Sequence, residues 1–425
     1  MLADQQQQWE QFASTLVAEV QHLRERLKEM KSADALEGAV YEWVRGLGQK
    51  LMQSLCQEAL EQRERGRRPC CCGRPMDHHS RRCRTVVTLL GTLRGHRRYY
   101  RCLDCGRSLF PGDAWLGWRG DFSHRVQDLG AWEVSLLPYR QAVTSLRKLA
   151  GIELSLEAAE RLVGRWGKKE LTPAAYAERV SKDLVVQIDG AKAHLEDGWR
   201  ELKVGACFDW DRSDSEAKPE QVSYVADWES AQEFSDTLWQ EALARGAPTA
   251  RSQAVIGDGA PWIWELASLI FPKATQILDW YHLTEHLGTA AKGVQGEGSE
   301  ETKTLEKAWE TEIWEGRSEM VEGRLRELVS AGSDDSQNTL RRCADYLQTH
   351  QHRLRYHLFR AAGWPVGSGV VEGACKHVVG LRFKRQSTRW TKPGARAVLH
   401  LCLDRLNNRW EARSNHLFHE LRLAA

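Results

Sequence analysis

Leu184-Val-Val-Gln-Ile-Asp189-Gly190 is the stretch whose reading decides the fold. A short run rich in Val and Ile that stops at a carboxylate and a glycine reads as a strand with an acid at its end. The same pattern returns in Ser252-Gln-Ala-Val-Ile-Gly257-Asp258-Gly259. Between the two lie extended stretches at Arg200–Trp210 and Gln221–Asp227, then a helical one at Ala231–Ala244. Beyond them come a helix near Trp262–Phe271 and a fifth strand, Ala274-Thr-Gln-Ile-Leu-Asp279, running into Trp280-Tyr-His282. Helical periodicity then continues from Leu283 to about Arg360, and a last segment opens with Gly367-Ser-Gly369-Val-Val-Glu372. Three strands, helix, strand, helix, strand, then helices is the element order of an α/β RNase H-like domain carrying an all-α insertion.

In that layout the first strand lies beside the fourth at about 4.8 Å, so Asp189 and Asp258 project together. Ionised carboxylates at the ends of apolar strands are costly unless a cation compensates them. Two metal ions about 4 Å apart are an established solution for phosphodiester cleavage and transfer. Glu372, at the start of a helix after a Gly-Ser-Gly turn and with Lys376 one turn on, supplies the third carboxylate. Each acid alone would read as a strand-end or helix-cap residue; together they predict a catalytic site holding two Mg²⁺ or Mn²⁺ ions.

Working outward toward the N-terminus, six of the eleven cysteines fall between Cys70 and Cys105. Cys70-Cys71-Cys72-Gly73 and Cys102-Leu-Asp-Cys105-Gly106 flank a stretch that reads as a β-hairpin, the outline of a zinc ribbon with one structural Zn²⁺. Cys70, Cys72, Cys102 and Cys105 are the expected ligands, with Cys71, Cys83, His78 and His79 as substitutes because Cys70-x-Cys72 is tighter than the usual gap. An odd cysteine count in a chain opening without a basic, apolar leader argues against a disulfide framework and predicts a cytoplasmic protein. Farther out, Trp9, Phe12, Leu16, Val20, Leu23, Leu27 and Met30 form one amphipathic stripe, and Leu36, Val40, Leu47, Leu51 and Leu55 a second. The first is long enough to serve as a dimer seam and equally suits a helix packed on its own domain.

Tyr139–Ala150, Gly151 and a helix capped by Ser155 trace a helix-turn-helix, whose second helix carries Arg161, Arg165, Lys168 and Lys169. The segments expected are therefore N-terminal helices 1–66, a zinc ribbon 67–112, a helix-turn-helix-like region 113–172, a catalytic core in two parts, 173–283 and 363–425, and a helical insertion 284–362.

At roughly 150 residues per domain, 425 residues exclude a single small module, and no apolar run reaches the roughly 18 residues of a membrane span. Net charge is only +2, but Glu61–Phe110 holds 13 Lys/Arg against 4 Asp/Glu and Lys376–Trp410 holds 9 against 1. Asp209–Arg245 reverses this, with 3 against 10. Basic regions flanking an acidic one suit a protein that neutralises phosphates in one place and gathers carboxylates in another. Most of the 18 tryptophans, Trp262, Trp264, Trp309 and Trp314 among them, read as core. Trp390, between Arg389 and Lys392, reads as a possible base-stacking contact.

Asp189-Gly190, Gly257-Asp258-Gly259, Asp279-Trp-Tyr-His282 and Gly367-Ser-Gly-Val-Val-Glu372-Gly-x-x-Lys376, followed by Arg382, Lys384, Arg389 and Trp390, resemble a bacterial insertion-sequence DDE transposase. The resemblance is to the ISKra group, related to Mutator-like transposases, and runs from about Cys70 to Arg409. It implies Asp189, Asp258 and Glu372 as the metal-binding triad and transposon-end and target DNA as substrates. A homodimer or larger assembly, associated with the nucleoid, would join the ends. It also implies that Asp279 and His282 form the family's Asp-x-x-His signature, read first as a structural pair and second as a catalytic one. A non-catalytic DNA-binding regulator derived from a transposase and an RNase H-type nuclease are the competing readings.

Overall fold

The computed structural model describes residues 2–64, 66–116, 120–168, 171, 183–214, 216–329, 334–384 and 389–423. It is a mixed α/β protein that divides into two units, Met1–Leu162 with Glu411–Ala425, and Val163–Trp410. Among the described residues no helix is long and apolar enough to cross a membrane.

The first unit opens with α1 (Leu2–Arg26) and α2 (Ala33–Arg63), the latter capped by the Ser32 hydroxyl accepting from Ala35 N. Strands β1 (Arg68–Pro69), β2 (Pro75–Thr88), β3 (Gly91–Arg101) and β4 (Ser108–Leu109) form an antiparallel sheet in that order. Beyond the short β4, the edge of β3 is covered by a row of side chains from α2. Gln49 Nε2 donates to Thr92 O at 2.7 Å, and Gln57 Oε1 accepts from His96 N at 3.1 Å. Between them, Gln53 donates to Arg94 O (2.6 Å) and accepts from Arg94 N (2.7 Å). The match is geometric: four helical residues advance about 6 Å and two strand residues about 6.8 Å, so glutamines spaced by four meet every second strand residue. The apolar stripe of α2 is therefore not the face that meets the sheet. Val40, Leu51 and Leu55 stay exposed, because an open strand edge needs donors and acceptors rather than hydrocarbon.

Helices α3 (Pro111–Leu116), α4 (His124–Leu136), α5 (Tyr139–Ala150) and α6 (Leu156–Trp166) follow. Val126, Leu146, Ile152, Leu154, Ala158 and Ala159 close a small core among α4, α5 and α6. Gly151, at φ +59°, ends α5 in the left-handed conformation and lets the chain turn into α6.

The second unit is built on a five-stranded sheet of β5 (Asp183–Leu195), β6 (Gly198–Trp210), β7 (Glu220–Asp227), β8 (Gln253–Gly257) and β9 (Thr275–Leu278). Its order is β7-β6-β5-β8-β9, antiparallel on the β7 side of β5 and parallel on the other. Helix α7 (Ala231–Ala244) precedes β8, and α8 (Pro261–Ile270) links it to β9. The start of β5 is fastened by Asp183, fully buried, between Arg212 and Arg251. After β9 come α9 (Trp280–Gln295), α10 (Glu300–Trp314), α11 (Ser318–Val329), α12 (Asp334–His350) and α13 (Tyr356–Ala361). These helices share one continuous core with the sheet: Leu283, Leu287, Trp309, Val321, Leu340 and Tyr356 pack in the same cluster as Val185, Ile188 and Ile256. Trp264 is buried in it and Trp262 and Trp314 are packed against it. The chain closes with α14 (Gly369–Ala374), a π-helical turn (Cys375–Gly380), α15 (Leu381–Phe383) and α16 (Lys392–Leu406), and the last helix, Trp410–Leu423, returns to the first unit.

Candidate metal centres

Strands β5 and β8 run in parallel register from Leu184↔Gln253 to Ile188↔Gly257, so Asp189 and Asp258 are the next residues of two neighbouring strands. Gly257 makes that approach possible, since a Cβ there would lie 2.8 Å from Ile263 Cγ2 and 3.1 Å from Ile188 O. Asp189 accepts the N–H of Gly190 at 2.7 Å, and Asp258 accepts that of Ala260 at 2.8 Å. Ligand atoms of Asp189, Asp258 and His282 all lie within 4.8 Å of one another, a group with the spacing to hold a metal ion. Burial, reinforced by the charge of Asp258, pushes the Asp189 carboxyl above its ordinary value despite hydrogen bonds from Cys375 and Gly190.

His282 reaches the acids through Asp279. That residue ends β9 with no exposed surface and caps α9, its Oδ2 accepting from His282 N at 2.9 Å and pairing with His282 Nδ1 at 2.8 Å. The remaining ring nitrogen is the one free to serve the acids, the arrangement in which a carboxylate orients an imidazole toward a metal. Chiefly through the Asp279 hydrogen bond, the His282 pKa is pushed up to about 9, so at neutral pH an imidazolium offsets the acidic pair. Burial pushes the Asp279 carboxyl up, but hydrogen bonds from His282 and Ser368 outweigh it and hold the group below the ordinary range.

Glu372 lies in α14, which is bolted to the centre of the sheet by Gln187. This buried side chain, two residues before Asp189 on β5, donates to Gly367 O (2.9 Å) and accepts from Val370 N (3.1 Å) and Val371 N (3.0 Å). One turn past Glu372, Cys375 Sγ meets Asp189 Oδ2 at 3.3 Å, at the start of the π-helical turn. The Glu372 carboxylate itself is partly exposed and pairs with Lys376 at 2.7 Å, outside the group formed by Asp189, Asp258 and His282.

A second group gathers Cys70, Cys72, Cys102 and Cys105, again with sulfurs within 4.8 Å of one another. Two of the separations, Cys70–Cys105 at 3.3 Å and Cys72–Cys102 at 3.6 Å, approach the ~3.8 Å that a tetrahedron with 2.3 Å zinc–sulfur bonds requires. The two arms are closed by the same pair of bonds, one residue out of step. Cys70 N donates to Arg74 O and Gly73 N to Cys70 O, whereas Cys102 N donates to Arg107 O and Gly106 N to Cys102 O. The first arm is thus the second shortened by one residue, which accounts for Cys70-x-Cys72. The backbone N–H of Cys105 leads the interactions that bring the Cys102 thiol down to about 7. Cys71, Cys83, His78 and His79 stand outside the group.

A family model matches residues 26–414, a span that contains both centres and Glu372. The chain belongs to UPF0236, an uncharacterised protein family. No curated protein matches it.

The basic residues of this UPF0236 chain divide by exposure. Arg161 and Arg165 lie exposed on α6 and Lys168 just past it, and Lys376, Lys384 and Arg389 are also exposed, while Lys169 lies outside the described residues. Arg382 is a correction: it is 2% exposed, with its guanidinium 5.6 Å from the Trp390 ring, and so packs in the interior rather than offering charge to a phosphate. Trp390 is a second one. It is buried, edge-on to Phe383, with its carbonyl accepting Glu196 N, so the indole packs against Phe383 rather than facing solvent. Gln187 and Cys375 escaped sequence reasoning. The signal for Gln187 was there, a lone amide inside an apolar strand, since such a group is tolerated only with its partners in place.

Proposed function

We propose that this UPF0236 chain is a DNA transposase of the DDE type, with an RNase H-like catalytic core, that binds element ends, cleaves a phosphodiester and joins the 3′ end to target DNA. The observation that carries the reading is the meeting of Asp189, midway along β5, with Asp258, just past β8, where the parallel pairing of the two strands stops, with His282 beside them and the Glu372 helix and its leading turn tied to Gln187 of β5 and to Asp279 after β9. The order β5, β6, β7, α7, β8, α8, β9 supports the fold assignment. A half-buried carboxyl raised chiefly by burial, with its acidic neighbour adding to the shift, fits a cation site, and the oxygen and imidazole donors suit Mg²⁺ or, better, Mn²⁺.

Asp189 and Asp258 would hold the divalent ions, with Glu372 reaching them from α14 and His282 joining them by giving up its proton. Bound there, two such ions would stabilise charge on the phosphate and activate the attacking oxygen, first of water and then of the DNA 3′-hydroxyl. The chain's own part is placement. Gln187 and Asp279 set α14, and Asp279 sets the His282 ring. Zn²⁺ in the four-cysteine group would hold the arms of the β2–β3 hairpin. On that hairpin Arg81 faces Arg98 and Arg94 faces Thr85 across the strands, a basic face for phosphate contacts in addition to Arg161, Arg165 and Lys168.

The test is strand cleavage and joining on labelled DNA from the inverted repeats flanking the gene, with Mg²⁺ or Mn²⁺. Asp189→Ala, Asp258→Ala and Glu372→Ala each abolish both steps while end binding stays within about threefold. Activity retained by Asp189→Ala overturns the mechanism, and end binding without cleavage by the natural chain turns the reading to a DNA-binding regulator.

A further inference from the structure

Next to the acids, α9 and α12 enclose a cavity of about 540 Å³, inside the roughly 300–1,000 Å³ of sites that take small organic ligands. It borders Gly259, the residue after Asp258. Tyr346 lies across that glycine, since a Cβ there would stand 2.2 Å from its ring. The phenol is thereby held near the acids, and its hydroxyl is buried without a hydrogen-bond partner among the described residues. His286 stacks on the Tyr346 ring with centroids 4.0 Å apart and 24° between planes, and it remains exposed where it lines the cavity. Arg342, also on the wall and exposed, has no ion pair or hydrogen bond among the described residues. The hydroxyls of Thr289 and Thr349 donate to Glu285 O and Asp345 O, which leaves their oxygens as acceptors.

We propose that this cavity is a nucleobase site. It takes the base of a nucleotide whose phosphate lies at Asp189 and Asp258, and the base extends the Tyr346–His286 stack over the open face of His286. Arg342 meets an adjoining phosphate, and the threonine oxygens accept from base N–H groups. A purely apolar ligand would leave the buried Tyr346 hydroxyl unpaired, whereas a nucleotide can supply it a partner and offers the exposed Arg342 a phosphate. The proposal rests on the phosphodiester reading above. It adds that the base beside the reacting phosphate leaves the duplex stack, as enzymes acting on bases require of theirs.

The experiment uses the full chain with Mn²⁺ and two probes, deoxyadenosine 5′-monophosphate and deoxyribose 5-phosphate, by titration calorimetry. The nucleotide binds at least about tenfold tighter than the sugar phosphate, His286→Ala removes that preference, and His286→Phe restores it, as stacking demands. Equal affinity for the two probes, no binding of either, or a preference unchanged in His286→Ala overturns the nucleobase site. Asp189→Asn tests the other half. A base preference indifferent to Mn²⁺ and to Asp189 would leave the nucleobase site standing and remove the phosphodiester reading.

Discussion

Asp279 Oδ1 accepts the backbone N–H of Ser368 at 2.6 Å, joining the end of β9 to the turn that leads into Glu372 across 89 residues of chain. The same carboxylate caps α9 and holds the His282 ring, so one buried acid sets the position of two elements of the candidate site.

Asp279→Ala should therefore act first on stability. It removes three hydrogen bonds to an ionised group and leaves buried N–H groups unpaired, a loss of about 3–5 kcal/mol. Urea unfolding measures it. A variant as stable as the natural chain would contradict the structural role.

The four-cysteine group predicts one zinc per chain. Cys72→Ser should empty it, whereas Cys71→Ser and Cys83→Ser should retain the metal, as elemental analysis of the purified proteins will read. Because ligation is coupled to local folding, a chelator should speed amide exchange in β1–β4 while Val163–Trp410 keeps its protection.

His350 predicts a pH dependence. It is buried, and burial followed by the charge of Arg353 lowers its pKa to about 4. The neutral ring fits the contacts, since its Nδ1 accepts from Arg353 at 3.1 Å and a guanidinium can only donate. Between about pH 6.5 and 4 the unfolded chain binds a proton at this site that the folded chain refuses, so stability is fully present above about 6.5 and falls as the pH drops. The loss at pH 4 is on the order of 3 kcal/mol, and His350→Gln should flatten the profile of melting temperature against pH over that window.

The glutamine row predicts a cost out of proportion to its exposure. Gln53→Ala should destabilise the first unit by about 1–2 kcal/mol, since it removes a donor and an acceptor from the edge of β3. Gln53→Leu, which only adds hydrocarbon, should be no better. Light scattering should also show more self-association in both, because an uncovered strand edge is a template for pairing.

The strands were legible because the period of an apolar run is a local property, although β5 does not stop at Asp189-Gly190 as its sequence suggests but runs on to Leu195, because β6 pairs with it along its whole length. That is why Asp189, Asp258 and the five strands around them could be placed from the sequence, as could the cysteine arms, each turned by its own glycine at positive φ. Local pattern failed where the partner decides the meaning. On α2 the apolar stripe was the visible signal, yet the helix meets its sheet through Met52 and Cys56, packed with Val86 and Leu93, and through Gln49, Gln53 and Gln57, whose role exists only when a strand edge lies opposite.

Arg382 and Trp390 show the same limit: a basic stretch announces charge, but whether a given guanidinium faces solvent or an indole depends on what packs over it. His282 was singled out by the family resemblance, but its place among the acids could not be, because β9 had first to lie beside β8 and Asp279 had to turn the ring. The sequence by itself determined which segments are strands, which residues carry charge and which cysteines pair into arms, since these follow from short-range sterics and residue chemistry. Only the tertiary structure decided that Gln187 fastens the Glu372 helix, that Tyr346 rests on Gly259, and which acids and imidazole share one site. The first two of those contacts join residues 87 to 184 positions apart, and nothing in a local run of sequence encodes a partner at that distance.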